Sequence, residues 1–275
     1  MSVNPELRTL DIDIPSQPQS LVALSLLLAE DPINLPAASA LIESDMALAA
    51  AVMKAVNSSL YGLKGRVQSV QQAVTYLGMR EVAAITFEMG LRAAFPPAAE
   101  LDPVWYRAGR RGWLMAQLAS RMSLDAWAAH SAGLFEECGK AVLYRHAPDH
   151  YRAMLRAAAD DAELVTLEHT GFGVSHDHLG AALCESWGLG AAAVASVRQH
   201  VVAQRSYALP FQTDRRSICA LSVLASVLST APEKLDEAMA ALVLNTDLDA
   251  TLMQRAVRQV QKDLEAAAAA AEGRV

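Results

Sequence analysis

Glu136 and Glu137 stand side by side in HSAGLFEECGKAVLYRH, residues 130–146, and Gly139-Lys140 follows at once. Two adjacent carboxylates in an apolar stretch are either half of a metal site or a wet patch on a helix. Carboxylate oxygens suit hard cations. On a helix, however, neighbouring side chains point about 100° apart, so a shared ion needs ligands from other elements. The chain offers seven histidines: His130, His146, His150, His169, His176, His178 and His200. The triplet His176-Asp177-His178 is the densest group, but positions i and i+2 do not share a helical face. It makes a poor chelate and an ordinary first helical turn, with Asp177 favourable at the positive end of the helix dipole.

Other catalytic signatures are missing. The sequence contains no HExxH, GxSxG or P-loop pattern, so the metalloprotease, α/β-hydrolase and nucleotide-hydrolase mechanisms lack their residues. The glycines of GFGVSHDHLG follow no strand-like segment, which excludes a dinucleotide loop. Cys138, Cys184 and Cys219 are odd in number and widely spaced. They read as buried reduced thiols rather than a disulfide or zinc framework.

The elements that must carry these residues are helices. Hydrophobic residues make up 53% of 275, charged residues 19% and aromatics 5%. Alanine and leucine dominate the apolar share, so helix formers outnumber strand formers. The reading is all-α. A net charge of −7 repels phosphate backbones, which argues against a nucleic-acid partner. The pairs Arg110-Arg111 and Arg215-Arg216 are read as solvated helix faces. No apolar run is long enough to span a bilayer and the N-terminus lacks signal-peptide character, so a cytoplasmic protein with no membrane partner is expected.

Along the chain, residues 1–18 form a proline-containing arm, expected to pack loosely. Helical patterning starts near Ser20. Asp45 caps one helix, which ends at Asn57-Ser58, and LYGLKGRV is a loop. Ser69 and Gln72 form a capping box, and Gly78 stops that helix. FPPAAELDP is the strongest break and separates two helical subdomains. Beyond it the spacing predicts helices over about 104–122, 125–144, 148–159, 164–170, 175–187, up to His200, and 217–229. The terminal alanine run is expected to fray.

Together these segments resemble an HDOD domain, a family related to the HD-type metal-dependent phosphohydrolases. Glu43-Ser44-Asp45, then Asn57, Ser58, Tyr61 and Gly62, then Ala73 to Leu77-Gly78 match its first half. AGLFEECGK and the series Glu168, Gly173, His176, Gly180-Ala181, Leu183, Trp187 and Leu189 match its second. His200 falls where the family often has a histidine pair, although Val201 follows it here.

The resemblance implies an HD-like multi-helix bundle. It would comprise an arm (1–18), an HDOD domain (19–230, divided into 19–95 and 103–230) and a C-terminal helical extension (231–275). It also implies where the hydrolase ligands would stand. The first histidine falls near Arg107, the histidine-aspartate pair on Glu136-Glu137, and the late aspartate near Ser226. Arginine cannot ligate a metal, so no cofactor and no metal are expected, and an arginine–glutamate salt bridge is expected in their stead. Arg107, Glu136, Glu137, Lys140, His176 and His200 form the candidate pocket. Lys140 is read as paired with a surface glutamate, with anion binding as the alternative.

The implied function is a non-catalytic signalling module that binds a partner protein, in a cyclic-dinucleotide or two-component pathway, with a homodimer as a further expectation. The alternatives are a residual phosphohydrolase built on Glu136, Glu137, His176 and His200, or a nucleotide sensor using Arg107 and Lys140.

Overall fold

The computed structural model describes residues 12–28, 30, 32–57 and 65–272. Among them are fourteen α-helices and no strand. No single helix is long and apolar enough to cross a membrane. The chain divides into two compact units, 1–15 with 95–261, and 16–94 with 262–275. The division falls at the start of the proline-rich break.

The smaller unit holds α1 (Gln19–Leu28), α2 (Leu35–Ser44), α3 (Met46–Val56), α4 (Val70–Leu77) and α5 (Met79–Ala93). Its core includes Leu21, Leu24, Ile42, Val52, Phe87 and Leu91. The caps are those the sequence predicts. Asp45 Oδ1 accepts from the backbone N–H groups of Ala47 and Leu48, and Ser69 Oγ from Gln72 at 3.1 Å. Gln72 reaches back to the N–H of Gln68, one residue before the cap. Gly78 adopts φ 84°, a value that favours glycine.

Asn57 fastens the end of α3 to residues 65–67. Its amide donates to the carbonyls of Met53 and Val67 and accepts from the N–H of Gly65 and Val67. Ser58, Tyr61 and Gly62, the other motif residues, lie outside the described residues.

The larger unit holds α6 (Asp102–Arg121), α7 (Ala126–His146), α8 (Pro148–Ala157), α9 (Asp161–Phe172), α10 (His176–Ser186), α11 (Ala191–Ser206), α12 (Arg216–Thr230), α13 (Leu235–Asn245) and α14 (Ala250–Glu272) as far as Gln261. Residues 231–261 belong to this unit, and α14 stays helical to Glu272. The arm is anchored where it is described. Trp187 Nε1 donates to the Pro15 carbonyl at 2.9 Å, and Arg145 pairs with Asp13.

Helix α7 is the axis of the unit. Every residue from Ala129 to Tyr144 is buried, and α6, α8, α10, α11 and α12 pack around it. The sequence reads this segment as an amphipathic helix; the structure buries it all round, which calls for apolar side chains on most faces.

Two glycine contacts set its neighbours' positions. A Cβ on Gly133 would lie 2.7 Å from the Gly112 backbone of α6, and one on Gly139 would lie 1.8 Å from the His176 carbonyl oxygen of α10. Only glycine permits helices to approach this closely. The first contact brings Arg111 beside Glu136, and the second brings His176 beside Lys140's turn of α7.

Candidate functional site

Glu136 and Glu137 are both fully buried, so they are no wet patch. Their divergence on α7 is bridged by one side chain. Arg111 Nη1 lies 3.0 Å from Glu136 Oε2 and 3.4 Å from Glu137 Oε1. Arg107, one turn earlier on α6, reaches Glu137 Oε2 at 3.2 Å from a half-exposed position. Lys140 Nζ lies 2.9 Å from the same oxygen and 2.7 Å from Asp161 Oδ1 on α9. Three cations thus face three carboxylates.

The far side of Glu136 is lined by neutral donors. Ser196 Oγ is 3.4 Å from its Oε1, and Gln204 Nε2 is 3.3 Å from its Oε2. Ser222 also donates to it and accepts from Gln204 at 3.0 Å.

The two glutamates are not equivalent. Burial raises both carboxyl groups. Glu137 faces Lys140, Arg111 and Arg107, which overcome burial and hold it near 2. Glu136 has Arg111 alone as cation, so burial prevails and pushes it to about 7. For Asp161 burial also acts upward, but the Lys140 ammonium holds it well below the usual range.

Beyond Lys140 stand the two histidines of the candidate pocket. Both are fully buried, with ring centroids 5.5 Å apart. His176 Nδ1 is 2.7 Å from Glu168 Oε2, and the His176 backbone N–H donates to the same oxygen at 2.8 Å. The Tyr151 hydroxyl donates to Glu168 Oε1. His200 Nδ1 lies 2.7 Å from the Val197 carbonyl. Neither Nε2 has a hydrogen-bond partner. Asp161, His176 and His200 offer ligand atoms that all lie within 4.8 Å of one another.

Several sequence expectations need correcting. Arg111, read with Arg110 as a solvated face, points inward with 11% of its side chain exposed, while Arg110 does lie outside, against the Tyr106 hydroxyl. The residue of α12 that reaches the glutamates is Ser222. Ser226 stands one turn further on and makes none of these contacts. Lys140 does pair with a glutamate, but at 0% exposure rather than at the surface. Held between Glu137 and Asp161, its charge is already matched. His176 and His178 diverge, as expected of positions i and i+2: His176 enters the buried cluster, while His178 is half-exposed beside Ser175 and Asp177.

Asp161, Glu168, Ser196, Gln204 and Ser222 complete the arrangement. Of these the sequence singled out Glu168 alone, as part of a motif. The three cysteines are buried and free, and burial pushes Cys184 and Cys219 up to about 12.

The HD-type metal centre can be tested against these residues. Its expected histidine position carries an arginine. Both carboxylates of the pair position are engaged by guanidinium or ammonium groups, and the α12 position is a hydroxyl. The set does not fit such a centre, because an arginine and a hydroxyl stand in for two of the ligands and each glutamate already faces a cation.

The fold and the site define an HD-like helical domain whose paired carboxylates are closed by ion pairs. The chain belongs to the HDOD domain family, whose sequence profile matches residues 14–202.

An HDOD domain protein of Geobacter sulfurreducens superposes with a TM-score of 0.69 at 18% identity, covering 94% of this chain and 92% of that one. A Marinobacter aquaeolei VT8 protein, provisionally named for signal transduction, gives 0.70 at 24% identity over 94% of this chain and 60% of that one. A Shewanella amazonensis SB2B protein, provisionally named a phosphohydrolase, gives 0.68 at 18% over 96% and 97%.

In sequence, an uncharacterized protein of Treponema pallidum (strain Nichols) is 27% identical over 192 residues, 68% of this chain. The chain spans only 37% of that relative's length.

Proposed function

We propose that this domain is a non-catalytic signalling module that acts by binding a partner protein. One observation carries the reading: Arg111 sits between Glu136 and Glu137 at 3.0 and 3.4 Å. The carboxylates that would hold a hydrolytic metal are spent on an internal ion pair. A buried pair with good geometry and added hydrogen bonds persists as a structural element, and here Ser196, Ser222 and Gln204 supply those bonds. The name of the Marinobacter aquaeolei protein agrees with a signalling role. A cyclic-dinucleotide or two-component pathway is the setting we assign, with the partner supplying the input. Binding to a second copy of the chain is part of the same reading, as is a cytoplasmic location.

The purified chain is assayed for hydrolysis of a generic phosphodiester with added Mn²⁺ or Fe²⁺, and partners are captured from the source cells and reconstituted. The expected results are no turnover above the metal-only control and a defined complex with a signalling protein. Turnover that disappears in Glu137→Gln overturns the reading. Sedimentation of the pure chain decides between monomer and dimer.

A further inference from the structure

We propose that Asp161, His176 and His200 form a binding site for one divalent first-row transition-metal ion, beside the Glu136–Glu137 ion pairs and joined to them through Lys140. The residues come from three helices, α9, α10 and α11; His176 and His200 belong to the candidate pocket read from the sequence, and Asp161 joins them without either glutamate of that reading. The ligand atoms of these three lie within 4.8 Å of one another.

The protons of the two imidazoles decide what the cluster can bind. His176 Nδ1 faces a carboxylate oxygen, and His200 Nδ1 faces a backbone carbonyl. Both partners only accept, so each neutral ring carries its proton on Nδ1. Each Nε2 is then a bare lone pair. Both are buried without a hydrogen-bond partner, a costly state unless something else fills the role. One such nitrogen is unexceptional. Two that converge with a carboxylate are the donor set of a metal ion.

The surroundings support this. Glu168 orients His176 through Nδ1 and is itself held by the Tyr151 hydroxyl. A carboxylate behind a ligating imidazole fixes its tautomer and raises its basicity. Asp161 Oδ1 accepts from Lys140, which leaves Oδ2 available. Asp161 is also the one partly exposed member, at 32% of its side chain, so ions arrive and the carboxylate adjusts from that side. A tetrahedral ion needs ligand atoms about 3.4 Å apart, so all three side chains close in from separations of up to 4.8 Å as the ion binds. Charge permits a dication: Arg107, Arg111 and Lys140 are offset by Glu136, Glu137 and Asp161, and Glu168 adds a further carboxylate beside His176. Two imidazoles and one carboxylate suit zinc, nickel, cobalt or iron, not magnesium or calcium.

The test uses the full chain, stripped with EDTA and titrated with Co²⁺ while visible absorption is read. Zn²⁺ stoichiometry is measured by elemental analysis after gel filtration, with Mg²⁺ as control. The expected result is one Co²⁺ per chain with ligand-field bands, one Zn²⁺, and no Mg²⁺. His200→Ala and His176→Ala lose the bands, and Glu168→Gln weakens binding by about 10–100-fold.

His169 and His178, with rings 5.9 Å apart, are a competing surface pair. Binding lost in His178→Ala but kept in His200→Ala overturns the site. So does substoichiometric Co²⁺ without bands in the unaltered chain, a measurement that needs no variant to fold. The inference holds or fails independently of turnover.

Discussion

Replacing Arg111 by methionine keeps most of the side chain's length and removes its charge. Glu137 then retains Lys140 and Arg107, at 2.9 and 3.2 Å. Glu136 retains no cation, only Ser196, Gln204 and Ser222. Breaking a buried ion pair from one side costs about 3–5 kcal/mol, because the remaining charge is left uncompensated. Glu136 can escape part of that cost by taking up a proton. Its carboxyl already sits near 7, and losing Arg111 moves it higher. The full penalty therefore appears only in alkaline solution, and at about pH 5.5 it shrinks by roughly 1–2 kcal/mol as protonation becomes cheap.

All four tryptophans, Trp105, Trp113, Trp127 and Trp187, lie in the larger unit, so tryptophan fluorescence reports its unfolding alone. For a unit of this size each kcal/mol shifts the midpoint by about 2–4 °C, which gives a drop of about 6–20 °C for Arg111→Met at about pH 8. Adding Glu136→Gln should recover more than half of it. A drop under about 3 °C at that pH, or an equal drop at both pH values, would refute the claim that Arg111 compensates a buried carboxylate.

Four further outcomes are expected. Gly139→Ala places a Cβ 1.8 Å from the His176 backbone oxygen, which no rotamer relieves; a loss of about 3 kcal/mol or more is expected by denaturant titration. Tyr151→Phe strips Glu168 Oε1 of its donor and should cost about 1–3 kcal/mol in the same titration. Asn57→Ala removes four hydrogen bonds around 57–67; faster amide exchange at Gly65 and Val67 is expected, with about 1–2 kcal/mol lost from the smaller unit. For pH, Glu136 is raised from 4.5 to about 7, so its contribution is full below 4.5 and fades as pH rises through 7; Glu137 is lowered to about 2, so its contribution is full above 4.5 and fades as pH falls through 2. Glu136→Gln should therefore flatten the decline in stability between 4.5 and 7, on the order of 3 kcal/mol at most, and leave the acid limb unchanged.

Much of the fold is written in local signals. The caps at Asp45 and Ser69, the stop at Gly78 and the proline break before α6 each rest on one residue's chemistry, and each appears where its residue stands. The ends that rest on periodicity alone drift. Helix α9 starts at Asp161 rather than near 164, and α11 runs to Ser206 rather than His200. Those two shifts conceal Asp161 and Gln204, both of which face the buried clusters. The terminal alanines offer helix propensity without an apolar stripe, so nothing in their pattern foretells that α14 persists.

The site residues drift by the same physics. The expectation named Arg107 and Ser226; Arg107 does reach Glu137, but Arg111, one turn further along α6, bridges both glutamates, and on α12 the contact belongs to Ser222. Helical spacing fixes which face a residue shares with its neighbours at i±4, not which turn lies opposite a given point on the next helix. That phase is set by packing, here by the Gly112–Gly133 contact, and glycine leaves no periodic mark in a sequence. Glu136 and Glu137 were legible as the key pair because their type is improbable on a buried helix. Arg107 was legible as a partner through the family resemblance; Arg111 was not, since an arginine four residues from another arginine is equally at home in water. An ion-pair cluster in such a core is thus visible from its anions first, and the bridging cation is recoverable only once the glycine contacts have fixed the register of α6 against α7.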